Sequence, residues 1–384
     1  MPASPNPKKL RALLLAEKHY YLEAVLHCLG PLGIRSHVMS AEECLKVQLS
    51  RYCNDYWTCG SLRLMQAQGR LADTINTYCS ENQIAVVVPT DFISTLLLSG
   101  IKKDLHAAAL FPTADPETLI MLNNKWRFMK SFDGKLLFPS TKRLDEKAHL
   151  DSLGLSFPLV AKQLDDKEGC GSYARRVESP EELSAYAIEK GWASPLLAQE
   201  YIPGQDIDLS VLAVEGRVLA WTIQEWLTGK RLRFVRQDSV LQVGGQIISS
   251  TRFTGIAHFD MRIDDRDNSL KVLECNPRCW GSIEASAKRG VNFPYAGILL
   301  ALGYSIDGRT NYKPGFYFPK RNFREYFTSR ISIQAVTRSI LRDLCGILSD
   351  PLPYLYFIAP KFLRKILSLF SKSYPPISRR NRIL

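Results

Sequence analysis

Between Gly255 and Ser282 the chain reads GIAHFDMRIDDRDNSLKVLECNPRCWGS: two apolar runs, Ile256–Ile263 and Leu270–Cys275, joined by a charged turn at Asp264–Ser269. Asp, Asn and Ser favour turns, so the stretch predicts a β-hairpin. Side chains alternate across a strand. His258 and Asp260 therefore share one face of the first arm, and Glu274 and Asn276 share one face of the second. If the register superposes those faces, two carboxylates and an amide oxygen converge. Hard oxygen ligands of this kind suit Mg²⁺, which binds through carboxylates together with substrate phosphates. Arg278 follows at once and can neutralise phosphate charge. The turn residues Asp264, Asp265, Arg266 and Asp267 read as a solvated turn.

Those residues need a platform. The chain has 384 residues, of which 46% are hydrophobic and 23% charged, a composition that fits a globular protein with a large core. No run of about 18 uncharged apolar residues is present, so no spanning helix is expected. Leu10–Ala16 is short, carries Arg11 and precedes Glu17 and Lys18, so it reads as a strand rather than a signal peptide. Nine Cys are scattered along the chain. Cys53 with Cys59 and Cys275 with Cys279 lack zinc-pair spacing and a nearby His, and read as reduced thiols of a cytosolic protein. The formal net charge is +12, but Lys320–Leu384 holds thirteen Lys and Arg against three Asp and Glu, a balance of +10. Basicity belongs to the tail, and the body is close to neutral.

In chain order, the strand Leu10–Ala16, the helix Tyr20–Leu29 and the strand Ile34–Met39 make a βαβ opening, which predicts a parallel sheet. The loop after the first strand lacks G-x-G-x-x-G, which disfavours a dinucleotide. Arg51–Gly60, with Tyr52, Tyr56 and Trp57, reads as irregular, serving inter-domain packing or a substrate contact. Asp91 sits just past the strand Ile84–Val88, as a helix N-cap or a substrate contact. Pro116–Phe132 reads as one helix that contains Lys125. The strand Phe157–Lys162 ends on Lys162. The loop Asp165–Tyr173, carrying Gly169, Gly171 and Ser172, leads to a returning strand, Ala174–Val177. This is a flap whose amides can cover phosphates. Leu196–Tyr201 runs into Gln199–Gly204, and Asp206 and Asp208 alternate along the next strand. Lys230, Arg231, Arg233 and Arg236 form a basic run, either a solvated loop or a site for an anionic substrate. Val336–Leu348 reads as a helix broken at Pro351-Leu352-Pro353. In Lys361–Phe370, Phe362, Ile366 and Leu369 recur at helical spacing beside basic residues, a piece that suits an anionic membrane surface or docking on the body. Ser378–Arg382 reads as disordered.

The order of these pieces resembles the ATP-grasp superfamily of carboxylate–amine ligases over roughly residues 10–305. The resemblance rests on Asn124-Lys125, the strand-end Lys162, the Gly-bearing flap, Gln199-Glu200-Tyr201-Ile202-Pro203-Gly204, and Asp260 with Glu274-x-Asn276-Pro277-Arg278. It looks most like the branch with a biotin-carboxylase-like N-terminal domain. The implied fold is α/β: a βαβ parallel-sheet pre-ATP-grasp domain over residues 1–115, then a two-lobed α+β ATP-grasp domain over 116–319. That domain has a flap lobe at about 157–198 and a metal-binding lobe at about 199–305. A basic helical tail covers 320–384.

By resemblance, Lys125, Lys162, Gly169, Gly171 and Ser172 contact the nucleotide, and Glu200, Tyr201 and Ile202 form the adenine hinge. Backbone groups of Tyr201 and Ile202 read the ring edge. Asp206 contacts the ribose, with Asp208 as the fallback. Asp260, Glu274 and Asn276 hold one or two Mg²⁺, with Mn²⁺ able to substitute. Arg278 faces the transferring phosphate. His258 stands where relatives often carry Arg, so Arg252 or Arg278 is expected to supply that cation. His258 is also the candidate base for the amine. The flap is more acidic, at Asp165-Asp166-Lys167-Glu168, and poorer in glycine than in many members.

The implied activity is ATP-dependent ligation of a small carboxylate, such as an amino acid, to an amine through an acyl phosphate. Two alternatives stand beside it: a catalytically weak ATP-binding module acting as a membrane-associated regulator, and a carboxylase- or carbamoyl-phosphate-type enzyme. Nucleic acid is not an expected partner, because the tail lacks a recognised motif. The expected location is cytoplasmic, with peripheral contact at the inner membrane surface through the tail, and a homodimer is compatible with the sequence.

Overall fold

The structure, a computed structural model, describes residues 5–145, 153–164, 174–190, 195–227, 231–306, 311–317 and 348–358. β1 (Arg11–Ala16) is the axis of its N-terminal part. The strand is apolar on both sides because both sides are covered. Ala12, Leu14 and Ala16 pack with α1 (Leu22–Leu29), while Leu13 and Leu15 pack with α3 (Leu62–Ala67) and α4 (Leu71–Asn82). Helices on both faces are what a parallel sheet requires. With β2 (Arg35–Ser40), β3 (Cys53–Thr58), β4 (Val86–Pro89) and β5 (Ala109–Leu110), the sheet runs β3-β2-β1-β4-β5, all parallel.

The stretch expected to be irregular, Arg51–Gly60, contains edge strand β3. Asn54 and Asp55 break its apolar pattern, but an edge strand is paired on one side only. Asn54 Oδ1 also accepts a hydrogen bond from Ser36 N at 2.9 Å. Its aromatics serve local packing. The Tyr56 hydroxyl donates to Glu42 O at 2.6 Å, and Trp57 stacks on Tyr78 at 5.6 Å.

The single helix expected over Pro116–Phe132 is two, α6 (Pro116–Asn123) and α7 (Lys125–Ser131). Asn124 adopts an extended backbone and its side chain accepts from Arg127 N at 3.0 Å, so it caps a new helix instead of continuing the old one. Lys125 thereby becomes the first residue of α7, and its N–H donates to Leu164 O at 3.0 Å.

The second sheet is antiparallel: β6 (Thr141–Leu144), β9 (Leu196–Glu200), β7 (Leu159–Gln163) and β8 (Arg175–Val177), in that order. It is backed by α8 (Pro180–Lys190) through Leu159, Ala161, Leu183 and Tyr186. The third sheet runs β14 (Leu270–Asn276), β13 (Gly255–Asp264), β10 (Gly204–Val214), β11 (Arg217–Leu227), β12 (Arg231–Val235), β15 (Gly315–Tyr317). Ile207, Leu209, Val211, Ala257, Phe259 and Met261 pack with α9 (Asp238–Ser250). The helix lies so close that a Cβ on Gly244 would sit 2.0 Å from Leu209 Cδ2. Alternation then puts Asp206, Asp208, Ser210, His258 and Asp260 on the opposite face.

Arg231 and Arg233 of the basic run lie in strand β12, and Arg236 follows its end. Arg233 pairs with Glu225 at 2.5 Å, and Arg236 lies 5.7 Å over the Tyr312 ring. Lys230 lies outside the described residues.

Of the tail, residues 348–358 are described; the readings placed on residues 336–347, 361–370 and 378–382 fall outside. Helical backbone at Leu348 and Ser349 gives way to a bend at Asp350, and a new helix, α12 (Pro351–Ile358), begins at the expected break. Prolines are tolerated in a first turn, where the N–H groups have no helical acceptor. Buried Asp350 ties this segment to the N-terminal part. It accepts from Ser50 Oγ at 2.5 Å and Arg51 N at 2.9 Å, and pairs with His27 Nε2 at 3.1 Å. Asp350→Ala leaves those partners unsatisfied and is expected to cost about 2–4 kcal/mol, read by urea denaturation. Unchanged stability would mean that the segment is not anchored there. Among the described residues, no helix is long and apolar enough to cross a membrane.

Candidate active site

The hairpin forms with the register that the site needs. His258 stands opposite Asn276, and Asp260 opposite Glu274. The Asn276 amide nitrogen donates to Asp260 Oδ2 at 3.1 Å and to Glu274 Oε1 at 3.3 Å, and its oxygen accepts from Arg278 Nη2 at 2.9 Å. Arg278 is buried, and its guanidinium lies 4.8 Å over the Tyr21 ring. Two lysines from other elements reach this floor. Lys125 Nζ is 3.3 Å from Glu274 Oε2, and Lys162 Nζ donates to Leu273 O at 3.4 Å.

The electrostatics follow from this crowding. Burial pushes Lys162 down to about 8, although the Glu274 charge opposes the shift. Burial would raise Glu274, yet Lys125 and Lys162 hold it well below the usual carboxylate range. Burial, against the attraction of His258, pushes Asp260 up to about 7. Two half-buried carboxylates are thus held together where one resists ionising. That strain and the oxygen-rich donor set fit a hard divalent cation on Asp260 and Glu274, with Asn276 contributing once its amide turns its oxygen inward.

Asp208 stands opposite Asp260 in the β10–β13 register, beside His258. Its Oδ2 accepts from Trp226 Nε1 at 2.6 Å and Gln224 Nε2 at 3.2 Å, and lies 3.6 Å from His258 Nε2. His258 Nε2 is also 3.1 Å from Asp260 Oδ1, and Nδ1 is 2.9 Å from Ser210 Oγ. The ring stacks on Trp280 at 5.2 Å. Burial disfavours its charge, but Asp208 and Asp260 prevail and raise it to about 9. With both ring nitrogens engaged inside the protein, His258 is not placed to take a proton from an amine.

Other expected residues are placed as follows. Asp206 pairs with Arg262. Glu200 N donates to Ser140 O at 2.8 Å and Tyr201 N to Pro158 O at 3.3 Å, so the Tyr201 N–H expected to read a ring edge already has an acceptor; Ile202 is buried. Gly169, Gly171 and Ser172 lie outside the described residues. Arg252 is remote, its exposed guanidinium 3.1 Å from Glu215 at a hairpin turn. Asp91 is a helix cap. Its carboxylate accepts from Ser94, Glu17 and Lys18 N–H groups at 2.9, 2.8 and 3.2 Å, and burial pushes it up to about 6.

The hairpin turn is not merely solvated. Asp264 is buried, Arg266 holds its carboxyl at about 2, and Arg266 Nη2 also reaches Glu200 Oε1 at 2.7 Å. This latches the turn to the end of β9. Ser210, Gln224, Trp226 and Trp280 were missed. The even spacing of Asp206, Asp208 and Ser210, and of Gln224 and Trp226, was the available signal.

A family model described as ATP-grasp in the biosynthetic pathway with Ter operon matches residues 193–318. D-aspartate ligase of Enterococcus faecium (strain Aus0004) is 26% identical over 211 residues, covering 47% of this chain and 50% of that protein. The match thus spans about half the length of that relative. Among solved structures, N5-carboxyaminoimidazole synthetase from Staphylococcus aureus in complex with ADP has a TM-score of 0.62 at 15% identity, covering 83% of this chain and 86% of that one. L-amino acid ligase from Bacillus licheniformis has a TM-score of 0.60 at 17% identity, covering 80% and 78%. The biotin carboxylase domain of Hydrogenobacter thermophilus 2-oxoglutarate carboxylase, with MgADP, has 0.59 at 13%, covering 78% and 72%.

Proposed function

We propose that this chain, an ATP-grasp protein by fold, is an ATP-dependent ligase that joins a small carboxylate to an amine. The reading rests above all on the register that sets Asp260 against Glu274, with Lys125 Nζ 3.3 Å from the Glu274 carboxylate and Lys162 Nζ donating to the adjacent Leu273 carbonyl, from two other elements. The ligase relatives support the substrate class.

Bound at Asp260, Glu274 and Asn276, Mg²⁺ would neutralise phosphate oxygens. In the proposed reaction a substrate carboxylate oxygen attacks the γ-phosphorus of ATP, and ADP leaves. The amine nitrogen then attacks the acyl carbon, the C–O bond to phosphate breaks, and the amine's proton passes to the departing phosphate or solvent as the amide forms. Such transfer depends on alignment and charge neutralisation rather than on covalent help. Lys125, Lys162 and Arg278 supply positive charge. Their burial keeps water out and strengthens each interaction. The hinge end of β9 is braced by Glu200–Arg266–Asp264, which fixes the floor relative to the second sheet.

Incubation with ATP, Mg²⁺ and pools of amino acids is expected to release ADP and phosphate in equal amounts with an amide product, detected by mass spectrometry. Tight ATP binding without ADP release from any pool would favour the regulator reading. ADP release that depends on bicarbonate alone would favour a carboxylase.

A further inference from the structure

His258, Asp208 and Asp260 come from two adjacent strands of the third sheet and put an imidazole nitrogen and two carboxylates within 4.8 Å of one another. We propose that they form a second divalent-cation site, sharing Asp260 with the Asp260–Glu274–Asn276 set but selecting a transition-metal ion such as Zn²⁺ or Mn²⁺ over Mg²⁺. The proposal does not depend on the ligase reading.

The spacing suits a coordination shell. Nε2 lies 3.1 Å from Asp260 Oδ1 and 3.6 Å from Asp208 Oδ2. Ligands held at about 2.1 Å around one ion are about 3.0 Å apart in an octahedral shell and about 3.4 Å apart in a tetrahedral one. An imidazole nitrogen carries at most one proton, which two carboxylates must share, whereas a cation in the same gap draws all three groups at once.

The surroundings are built as metal sites are built. Ligating His residues are oriented by a hydrogen bond at the other ring nitrogen, and ligating carboxylates are themselves hydrogen-bonded. Here Ser210 Oγ engages Nδ1 at 2.9 Å, which leaves the Nε2 lone pair pointing at the carboxylates when Nδ1 carries the proton. Trp226 Nε1 and Gln224 Nε2 fix Asp208 Oδ2, and Trp280 fixes the ring plane. His258 and Asp208 are 6% and 3% exposed, so this arrangement is not a chance surface cluster. The Gln224 amide beside Asp208 also has a buried oxygen with no hydrogen-bond partner among the described residues. Imidazole is the discriminating ligand: it suits Zn²⁺ and its late transition-metal neighbours, and Mn²⁺ accepts it more readily than Mg²⁺, which prefers oxygen throughout.

The test uses the full chain with MnCl₂ alone, without nucleotide. Pulsed electron paramagnetic resonance of the Mn²⁺-loaded protein is expected to show ¹⁴N coupling from a directly bound imidazole. In His258→Gln that coupling disappears and Mn²⁺ affinity falls at least tenfold. Asp208→Asn weakens Mn²⁺ by a similar factor and moves Mg²⁺ affinity less than threefold. Glu274→Gln retains the ¹⁴N signal, which separates this site from the neighbouring oxygen set even where His258→Gln fails to fold. A wild-type spectrum without imidazole coupling, or coupling that persists in folded His258→Gln, overturns the proposal. So does loss of coupling in Glu274→Gln, which would make the imidazole signal a property of the other site.

Discussion

Glu274→Gln is expected to lower kcat by at least about 10³-fold while the far-ultraviolet circular dichroism spectrum stays that of the wild type. The change keeps size and shape but removes the charge that pairs with Lys125, lies near Lys162 and faces Asp260 across the hairpin. Loss of that charge has two opposing consequences for folding. It strands two buried cations, which is costly, and it removes a like charge from Asp260, whose carboxyl burial already pushes up to about 7. The two partly cancel, so the melting temperature is expected to move by only a few degrees. The loss for the reaction has no such compensation, because a neutral amide cannot offset the charge of a cation that holds phosphate oxygens. Turnover is read as ADP release under saturating ATP and Mg²⁺, beside a melt of the same preparation. Turnover at the wild-type rate would remove Glu274 from the site.

How this site could be found in the sequence, and where it could not, follows from the range of the interactions. The hairpin was legible because its signals are local: alternation at period two, turn residues at Asp264–Ser269, and Pro277 at the end. Lys125 was picked out by its neighbours, but the helix around it was read as continuous. A cap at Asn124 and a continuing helix differ by one residue's backbone, which tertiary contacts decide, and here Leu164 O accepts from Lys125 N.

Asp208 shows the limit most clearly. Counting residues after Gly204 is a local measure, whereas β10 lies inside its sheet and takes its meaning from β13 and β11 on either side. Only the register reveals that Asp208 faces Asp260, and that Gln224 and Trp226 come round to hold it. The same holds for Arg266, whose partner Glu200 is 66 positions away. A charged turn with long-range partners looks in sequence like any solvated turn.

Lys162→Met should separate stability from activity in opposite directions. The Lys162 amine is buried, and burial lowers its pKa from 10.5 to about 8 despite Glu274 nearby. The unfolded chain therefore binds more protons than the folded one between about pH 8 and 10.5. Wild-type stability rises with pH across that window, and below it the folded protein bears the full cost of a buried charge. Methionine fills similar volume without the charge. The variant is expected to be more stable than wild type at pH 7 by up to about 2 kcal/mol, less than the shift alone implies because Glu274 then keeps only Lys125. The advantage should shrink as pH approaches 10. Meanwhile kcat/KM for ATP should fall by about 10²–10³-fold, since a cation aimed at developing phosphate charge is lost. Thermal melts at pH 7 and pH 10, beside ATP titrations of initial rate, measure both. A variant that loses stability and activity together at pH 7 would assign Lys162 to the core of the fold. One that keeps its activity would leave Lys125 as the cation that matters. The opposite movement of the two quantities marks a charge retained at the expense of stability, because the reaction requires it there.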